Sequence, residues 1–181
     1  MIFREESFKG EAVKLAAQLL SENARTAPKS RGEDSLDIAY VDGYELKKLA
    51  EKMRELSKEY DDKIFSRDAE SIEKAQGVLL IGVESKPLNL NCGACGFQNC
   101  GEFQKAERRD VKWSGPNCAF KLLDLGIAIG SSAKLASLLG LDTRIMYTAG
   151  VAAKKLGYVS GDVVLALPIA TTGKNPFFDR K

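Results

Sequence analysis

The four cysteines of the chain lie close together in the sequence, at Cys92, Cys95, Cys100 and Cys118. Two, four and seventeen residues separate them, and a Gly-Pro-Asn tripeptide precedes the last. Four thiolates complete the ligand set of a structural metal ion or of an iron–sulfur cluster, because either site can be saturated by four cysteines. The spacing therefore predicts that these side chains share one inorganic site.

The residues between the cysteines are small. Gly93, Ala94 and Gly96 let the backbone pass close to a ligand, and glycine also adopts the positive φ angles that aim successive N–H groups at one point. Such hydrogen bonds help to set the reduction potential of a cluster. A structural zinc site more often shows two separated C-x₂-C pairs, and this chain has one. The pattern favours an iron–sulfur cluster, with zinc, disulfides or inert thiols as open alternatives.

A resemblance sharpens this prediction. The sequence C-G-A-C-G-F-Q-N-C-G, followed later by G-P-N-C, resembles a small iron–sulfur module with a C-G-x-C-G-x-x-x-C core and a remote fourth cysteine. The resemblance, and not the spacing alone, implies a 4Fe–4S cluster bound by all four cysteines.

The composition excludes several classes of chemistry. The chain has 181 residues, a net charge of +2 and no histidine. Catalytic Ser-His-Asp and Cys-His sites are therefore excluded, as are zinc sites that contain histidine. A carried cofactor becomes a more favoured source of chemistry. The small net charge gives no reason to expect a nucleic-acid partner.

The sequence also predicts where the protein resides. Its first residues, Met1 to Glu6, are too charged for a signal peptide. The most apolar segment, Leu122–Leu141, contains Asp124 and Lys134, which predicts a buried helix and not a membrane span. Cysteines retained as thiolates suit a reducing compartment. We therefore expect a cytoplasmic protein without a membrane partner.

Alternating helices and strands must position the cysteines. Apolar residues at three- and four-residue steps, together with turn signals, predict helices at Ser7–Ala27, Tyr44–Tyr60, Asp68–Ala75, Gly101–Val111, Ala119–Leu139 and Gly150–Leu156. Strands are predicted at Leu36–Val41, Gly77–Val83, Leu141–Thr148 and Asp162–Ala170. Pro168 is expected at an edge or a bend.

The continuous apolar run of Gly77–Val83 predicts a strand that is buried on both faces. The cysteines should therefore begin near the end of a central strand. The alternation of elements predicts an α+β fold built as a three-layer α/β/α sandwich. We expect one domain over residues 1–181, with residues 85–118 as an inserted iron–sulfur module.

A second resemblance covers most of the chain. The stretches R-T-A-P, A-K-L-A-S-L-L-G-L-D-T-R-I-M-Y and G-Y-V-S-G-D-V-V-L-A-L-P-I-A resemble flavin-dependent nitroreductases. With the cysteines added, the whole chain resembles a family of uncharacterised ferredoxin-domain-containing proteins, a nitroreductase-like fold that carries a 4Fe–4S module. The nitroreductase arginine motif is absent near the N-terminus, where only Arg4 lies.

This resemblance implies a homodimer and FMN as an additional cofactor at the dimer interface. The residues that could contact the FMN phosphate are Arg25, Lys29, Ser30, Arg31, Lys174, Arg180 and Lys181.

Two functions follow from the sequence. The first is an iron–sulfur redox protein that transfers electrons, or acts as an oxidoreductase where FMN also binds. The second is a non-enzymatic dimeric binding or sensing module, in which zinc or a cluster has a structural role. The sequence leaves open whether the protein is an enzyme, and it identifies no electron donor or acceptor.

Overall fold

The structure is a computed structural model that describes residues 1–178. Its helices are α1 (Lys9–Thr26), α2 (Tyr44–Glu59), α3 (Lys63–Glu73), α4 (Cys100–Lys105), α5 (Ala119–Leu138) and α6 (Tyr147–Lys155). Its strands are β1 (Leu36–Asp42), β2 (Gly77–Val83), β3 (Arg109–Asp110), β4 (Ser114–Gly115), β5 (Asp142–Thr143) and β6 (Val163–Ala170).

Four strands form the central sheet, in the order β1-β2-β6-β5. All neighbouring strands are antiparallel. Every residue of β2 is buried, as its uninterrupted apolar sequence predicted. The segment that carries the cysteines, residues 85–118, begins two residues after β2 ends, and Cys92 follows Val83 by nine residues.

Helices cover both faces of this sheet. Successive side chains of a strand point to opposite faces. Val78 and Leu80 accordingly join the core beneath α2, α3 and α6, whereas Leu79 and Ile81 join the core beneath α1 and α5. The predicted three-layer α/β/α sandwich is confirmed. The cysteine segment, residues 85–118, leaves the sheet after β2 and contains α4 and the short β3–β4 hairpin.

The predicted strand Leu141–Thr148 is wrong over most of its length. Only Asp142–Thr143 pairs as a strand, and α6 begins at Tyr147. The cause is Asp68, a carboxylate of α3 that is 3% exposed. It accepts a hydrogen bond from the Thr148 hydroxyl at 2.7 Å and forms an ion pair with Arg144. A buried carboxylate needs such partners, and Arg144 and Thr148 supply them. The chain leaves the ladder with β6 after Thr143 and pairs with it again only through the single bridge between Met146 and Ala166.

Two helix boundaries differ by five or more residues from the prediction. Helix α3 begins at Lys63, earlier than predicted, because the Asp62 side chain accepts a hydrogen bond from the Ile64 N–H at 3.1 Å and caps it. The predicted helix Gly101–Val111 ends at Lys105, since Ala106 is extended and leads into the hairpin. Pro168 lies inside β6 and pairs with Val78 of β2 on one side. On its other side β5 has ended opposite Ile169, so the proline sits at a local edge of the sheet, which agrees with the prediction.

Candidate metal centre

All four cysteines line one pocket. The remaining lining is Pro87, Leu88, Leu90, Gly93, Phe97, Asn99, Ala119 and Phe120. Cys118 is buried, Cys95 and Cys100 are half-buried, and Cys92 is exposed. Within residues 1–178, no three Cys, His, Asp or Glu side chains are placed to hold a metal ion. The four thiols in a mainly apolar lining match the donor chemistry of an iron–sulfur cluster.

Two glycines shape the turn that contains Cys95: Gly93 lies between the first two cysteines, and Gly96 directly follows the second. Gly93 has a φ of +70° and Gly96 a φ of +87°, and the Gly96 N–H donates to the Gly93 carbonyl at 2.9 Å. Residues with a Cβ rarely adopt this left-handed backbone. The positive φ angles expected of these glycines are therefore present, and the hydrogen bonds that they would direct at a cluster stay a prediction.

Cys100 is the first residue of α4, which local side chains hold in place. The Asn99 side chain accepts the Glu102 N–H at 2.9 Å, and the Glu102 carboxylate accepts the Gln98 N–H at 3.1 Å. These bonds satisfy N–H groups that a helix start leaves without partners. The Asn91 side chain accepts the Cys100 N–H at 2.9 Å, which ties the segment before the first cysteine to the third.

Cys118 occupies the N-cap position of α5, and its side chain makes no capping hydrogen bond. Its N–H donates to the Ser85 carbonyl at 3.1 Å. The first and last residues of the cysteine segment are therefore hydrogen-bonded to each other.

The candidate FMN contacts Lys29, Ser30 and Arg31 lie together in the turn after α1, and each has a partner within the chain. The Lys29 ammonium donates to the Arg25 carbonyl at 2.8 Å and to the Ala27 carbonyl at 2.5 Å, where it caps α1. Desolvation by burial lowers the pKa of Lys29. The Arg31 guanidinium donates to the carbonyl of Leu88, which lines the cysteine pocket, at 2.9 Å.

Ser30 donates through its N–H and its hydroxyl to the buried carboxylate of Asp124, both at 2.8 Å. Arg25 pairs with the Asp34 carboxylate at 2.6 Å and donates to the Leu36 carbonyl at 2.9 Å. Arg180 and Lys181 lie outside the described residues. The proposed phosphate contacts stay a prediction.

Sequence reasoning missed two residues that hold the cysteine segment in place, Ser85 and Asp162. Ser85 is fully buried, and its N–H donates to the Asp162 carboxylate at 2.8 Å. The two residues are 77 positions apart. No local pattern could have found this pair, since neither periodicity nor motif spacing reports a contact across the fold.

Comparison with known proteins assigns the chain to a family. Residues 114–180 match a family described as uncharacterized proteins containing a ferredoxin domain. A relative from Archaeoglobus fulgidus, itself described as an uncharacterized protein, is 54% identical over 181 residues. That match covers 99% of this chain and 98% of the relative. The chain belongs to this ferredoxin-domain family.

Solved structures show that this family member has a nitroreductase-like fold. A nitroreductase with bound FMN from Bacteroides fragilis matches with a TM-score of 0.57 and 15% identity, over 92% of this chain and 81% of that one. A second, also with bound FMN, comes from Desulfitobacterium hafniense, with a TM-score of 0.54 and 17% identity over 91% and 82% of the two chains. At such identities the likeness establishes the fold alone. None of the helices described for the ferredoxin-domain protein has the length and apolar character that a membrane crossing requires.

Proposed function

We propose that this protein is an iron–sulfur redox protein that binds one 4Fe–4S cluster and transfers single electrons. The proposed ligands are Cys92, Cys95, Cys100 and Cys118. The observation that carries the proposal is that all four line one mainly apolar pocket. Residues 85–118 would then be an inserted iron–sulfur module within a single domain.

The graded exposure of the cysteines suits this role. Cys118 is 6% exposed, and the apolar side chains around it exclude water from the inner end of the pocket. Cys92 is exposed, so the outer end faces solvent and a redox partner. A bound cluster supplies reversible one-electron chemistry, and its burial and hydrogen bonds set the potential. This chain contributes the ligands, the apolar walls and the exposed edge.

Elemental analysis tests the proposal directly. After purification without oxygen, or after reconstitution, the protein should contain about four iron and four acid-labile sulfide per chain. It should also show the broad visible absorption of a cluster and a reversible potential. About one zinc per chain without sulfide would overturn the proposal and support the non-catalytic, zinc-stapled module.

The outer face of α5 supports a homodimer as the working form. Leu123 is 58% exposed and Ile127 is 47% exposed. Gly126 and Gly130 lie beside them with open space where a Cβ would be. An exposed apolar face with small residues allows a second helix to approach closely. A second copy of this chain is the occupant that the nitroreductase resemblance implies.

FMN is the further cofactor of this dimer. Its support is the shared fold with two nitroreductases that bind FMN. Flavin quantification in the same anaerobic preparation tests it. Flavin present together with iron would make the protein an oxidoreductase in which two cofactors serve one- and two-electron steps.

Ile127→Glu is expected to convert the dimer to a monomer, because a charged group would be buried in an apolar interface. Ile64→Glu is the matched control, since Ile64 is 41% exposed on α3, which packs on the opposite face of the sheet. Sedimentation velocity measures both. A dimeric Ile127→Glu variant, or a monomeric wild type, would exclude this interface.

A further inference from the structure

Two aspartates each bind a distant serine in the same way. One Asp162 carboxylate oxygen accepts the Ser85 N–H at 2.8 Å and the Ser85 hydroxyl at 2.9 Å. One Asp37 carboxylate oxygen accepts the Ser160 N–H and hydroxyl, both at 2.7 Å. The first pair joins the cysteine segment to Asp162, the residue that precedes β6. The second pair joins β1 to the turn before β6 and includes no residue of the cysteine segment.

Ser85 connects the two ends of the cysteine segment. Its carbonyl accepts the Cys118 N–H at 3.1 Å, and its hydroxyl contacts the side-chain oxygen of Asn117. The Asn117 amide donates in turn to the Ser114 carbonyl at 2.9 Å. The backbone at the fourth cysteine is thus held by Ser85, whose own position depends on Asp162.

Asp162 also holds the middle of the segment. The second oxygen of its carboxylate forms an ion pair with the Arg108 guanidinium. Its carbonyl accepts the Ser114 N–H at 3.2 Å, and its N–H donates to the Val83 carbonyl at the end of β2 at 2.8 Å. The Asp162 side chain is only 17% exposed, so these charge-assisted bonds form in partial isolation from water. Asp162 therefore restrains the cysteine segment directly at Ser85, Arg108 and Ser114. These contacts offset part of the entropy cost of closing a long loop.

We propose that Asp162 is a positioning residue for the cysteine pocket. Through its hydrogen bonds to Ser85, Asp162 fixes the backbone of Cys118 before any inorganic group binds. This inference rests on the proposed cluster site. Residues that orient metal ligands without touching the metal are commonly needed for tight binding, and Asp162 has that relation to Cys118.

The test compares Asp162→Ala with Asp37→Ala. Each change removes a carboxylate that accepts both the N–H and the hydroxyl of one serine, and only the first of these serines belongs to the cysteine segment. Asp162→Ala is expected to release iron to a chelator about 10- to 100-fold faster than the wild type. Its cluster should also show an altered reduction potential and EPR spectrum. Asp37→Ala is expected to match the wild type in all three measurements, even where it unfolds at a lower temperature.

Asp162→Asn provides a graded variant, because an amide oxygen still accepts the two Ser85 bonds but carries no charge for Arg108. The rate of iron release from Asp162→Asn should lie between the rates of the wild type and of Asp162→Ala. A second measurement needs no bound cluster: mass spectrometry follows the rate at which Cys118 is alkylated in the apo protein. This rate should rise in Asp162→Ala and stay unchanged in Asp37→Ala.

The outcomes separate this inference from the proposed function. If the wild type holds a cluster and Asp162→Ala matches Asp37→Ala in iron release, potential and alkylation, the positioning role is overturned and the proposed function stands. Wild-type protein that takes up no iron or sulfide even on reconstitution would overturn the proposed function, and this inference with it.

Discussion

Cys118→Ser is expected to lose bound iron and sulfide and, at the same time, to make the apo protein slightly more stable. Iron in clusters is bound by soft thiolates, which a serine hydroxyl does not replace. The same hydroxyl is well suited to the N-cap of α5, where Cys118 makes no side-chain hydrogen bond. Serine at an N-cap accepts an N–H from the first turn, a contribution of about 0.5–1 kcal/mol relative to a residue that cannot cap.

Cys95→Ser is the matched variant for this prediction. Cys95 lies in a turn and begins no helix, so the change should remove the cluster without the gain in stability. Iron and sulfide per chain, together with urea unfolding of the apo proteins, measure both effects. Wild-type iron content in Cys118→Ser would refute the ligand assignment. A less stable apo Cys118→Ser protein would refute the capping argument.

The parts of the fold that the sequence predicted well are those set by local patterns. Gly77–Val83 was predicted as a buried strand, and β2 has those limits. Its seven apolar residues leave no polar side chain for a solvated face. Ala119–Leu139 was predicted as the long helix after the fourth cysteine, and α5 differs by one residue at its end. The four cysteines line one pocket, and the shared inorganic site that their spacing indicated stays a prediction.

The parts that were missed depend on contacts between distant residues. Arg144 lies in an alternating sequence that suits a strand, but its ion pair with Asp68 joins residues 76 positions apart. The phosphate contact of Lys29 stays a prediction, and the sequence did not reveal that its ammonium caps α1. A sequence pattern shows which residues are charged, but it does not show which distant residue pairs with each charge in the folded protein. For the same reason it could not reveal the pair formed by Ser85 and Asp162.

Gly150→Ala is expected to destabilise the protein strongly, because α6 packs directly against the backbone of β6 at this glycine. A Cβ at position 150 would lie 1.9 Å from the Val164 carbonyl oxygen and 2.6 Å from its carbon. Neither atom belongs to a flexible side chain, so the helix itself must move away from the sheet. Overpacking of a core costs about 1–3 kcal/mol and sometimes more, and a backbone obstacle should place this variant at about 3 kcal/mol or above.

Gly10→Ala is the control, because Gly10 is exposed in α1 and no atom lies within 4 Å of the position that an alanine methyl group would occupy. Alanine there should leave stability unchanged or raise it by up to about 1 kcal/mol through helix propensity. Urea midpoints of the two variants measure the difference; equal midpoints would show that α6 can shift freely.

The displacement should also reach the cysteine segment, because the Lys154 ammonium of α6 contacts the Ser114 hydroxyl and donates to the Asp162 carbonyl at 3.2 Å. Gly150→Ala should therefore accelerate iron release as well, whereas Gly10→Ala should not.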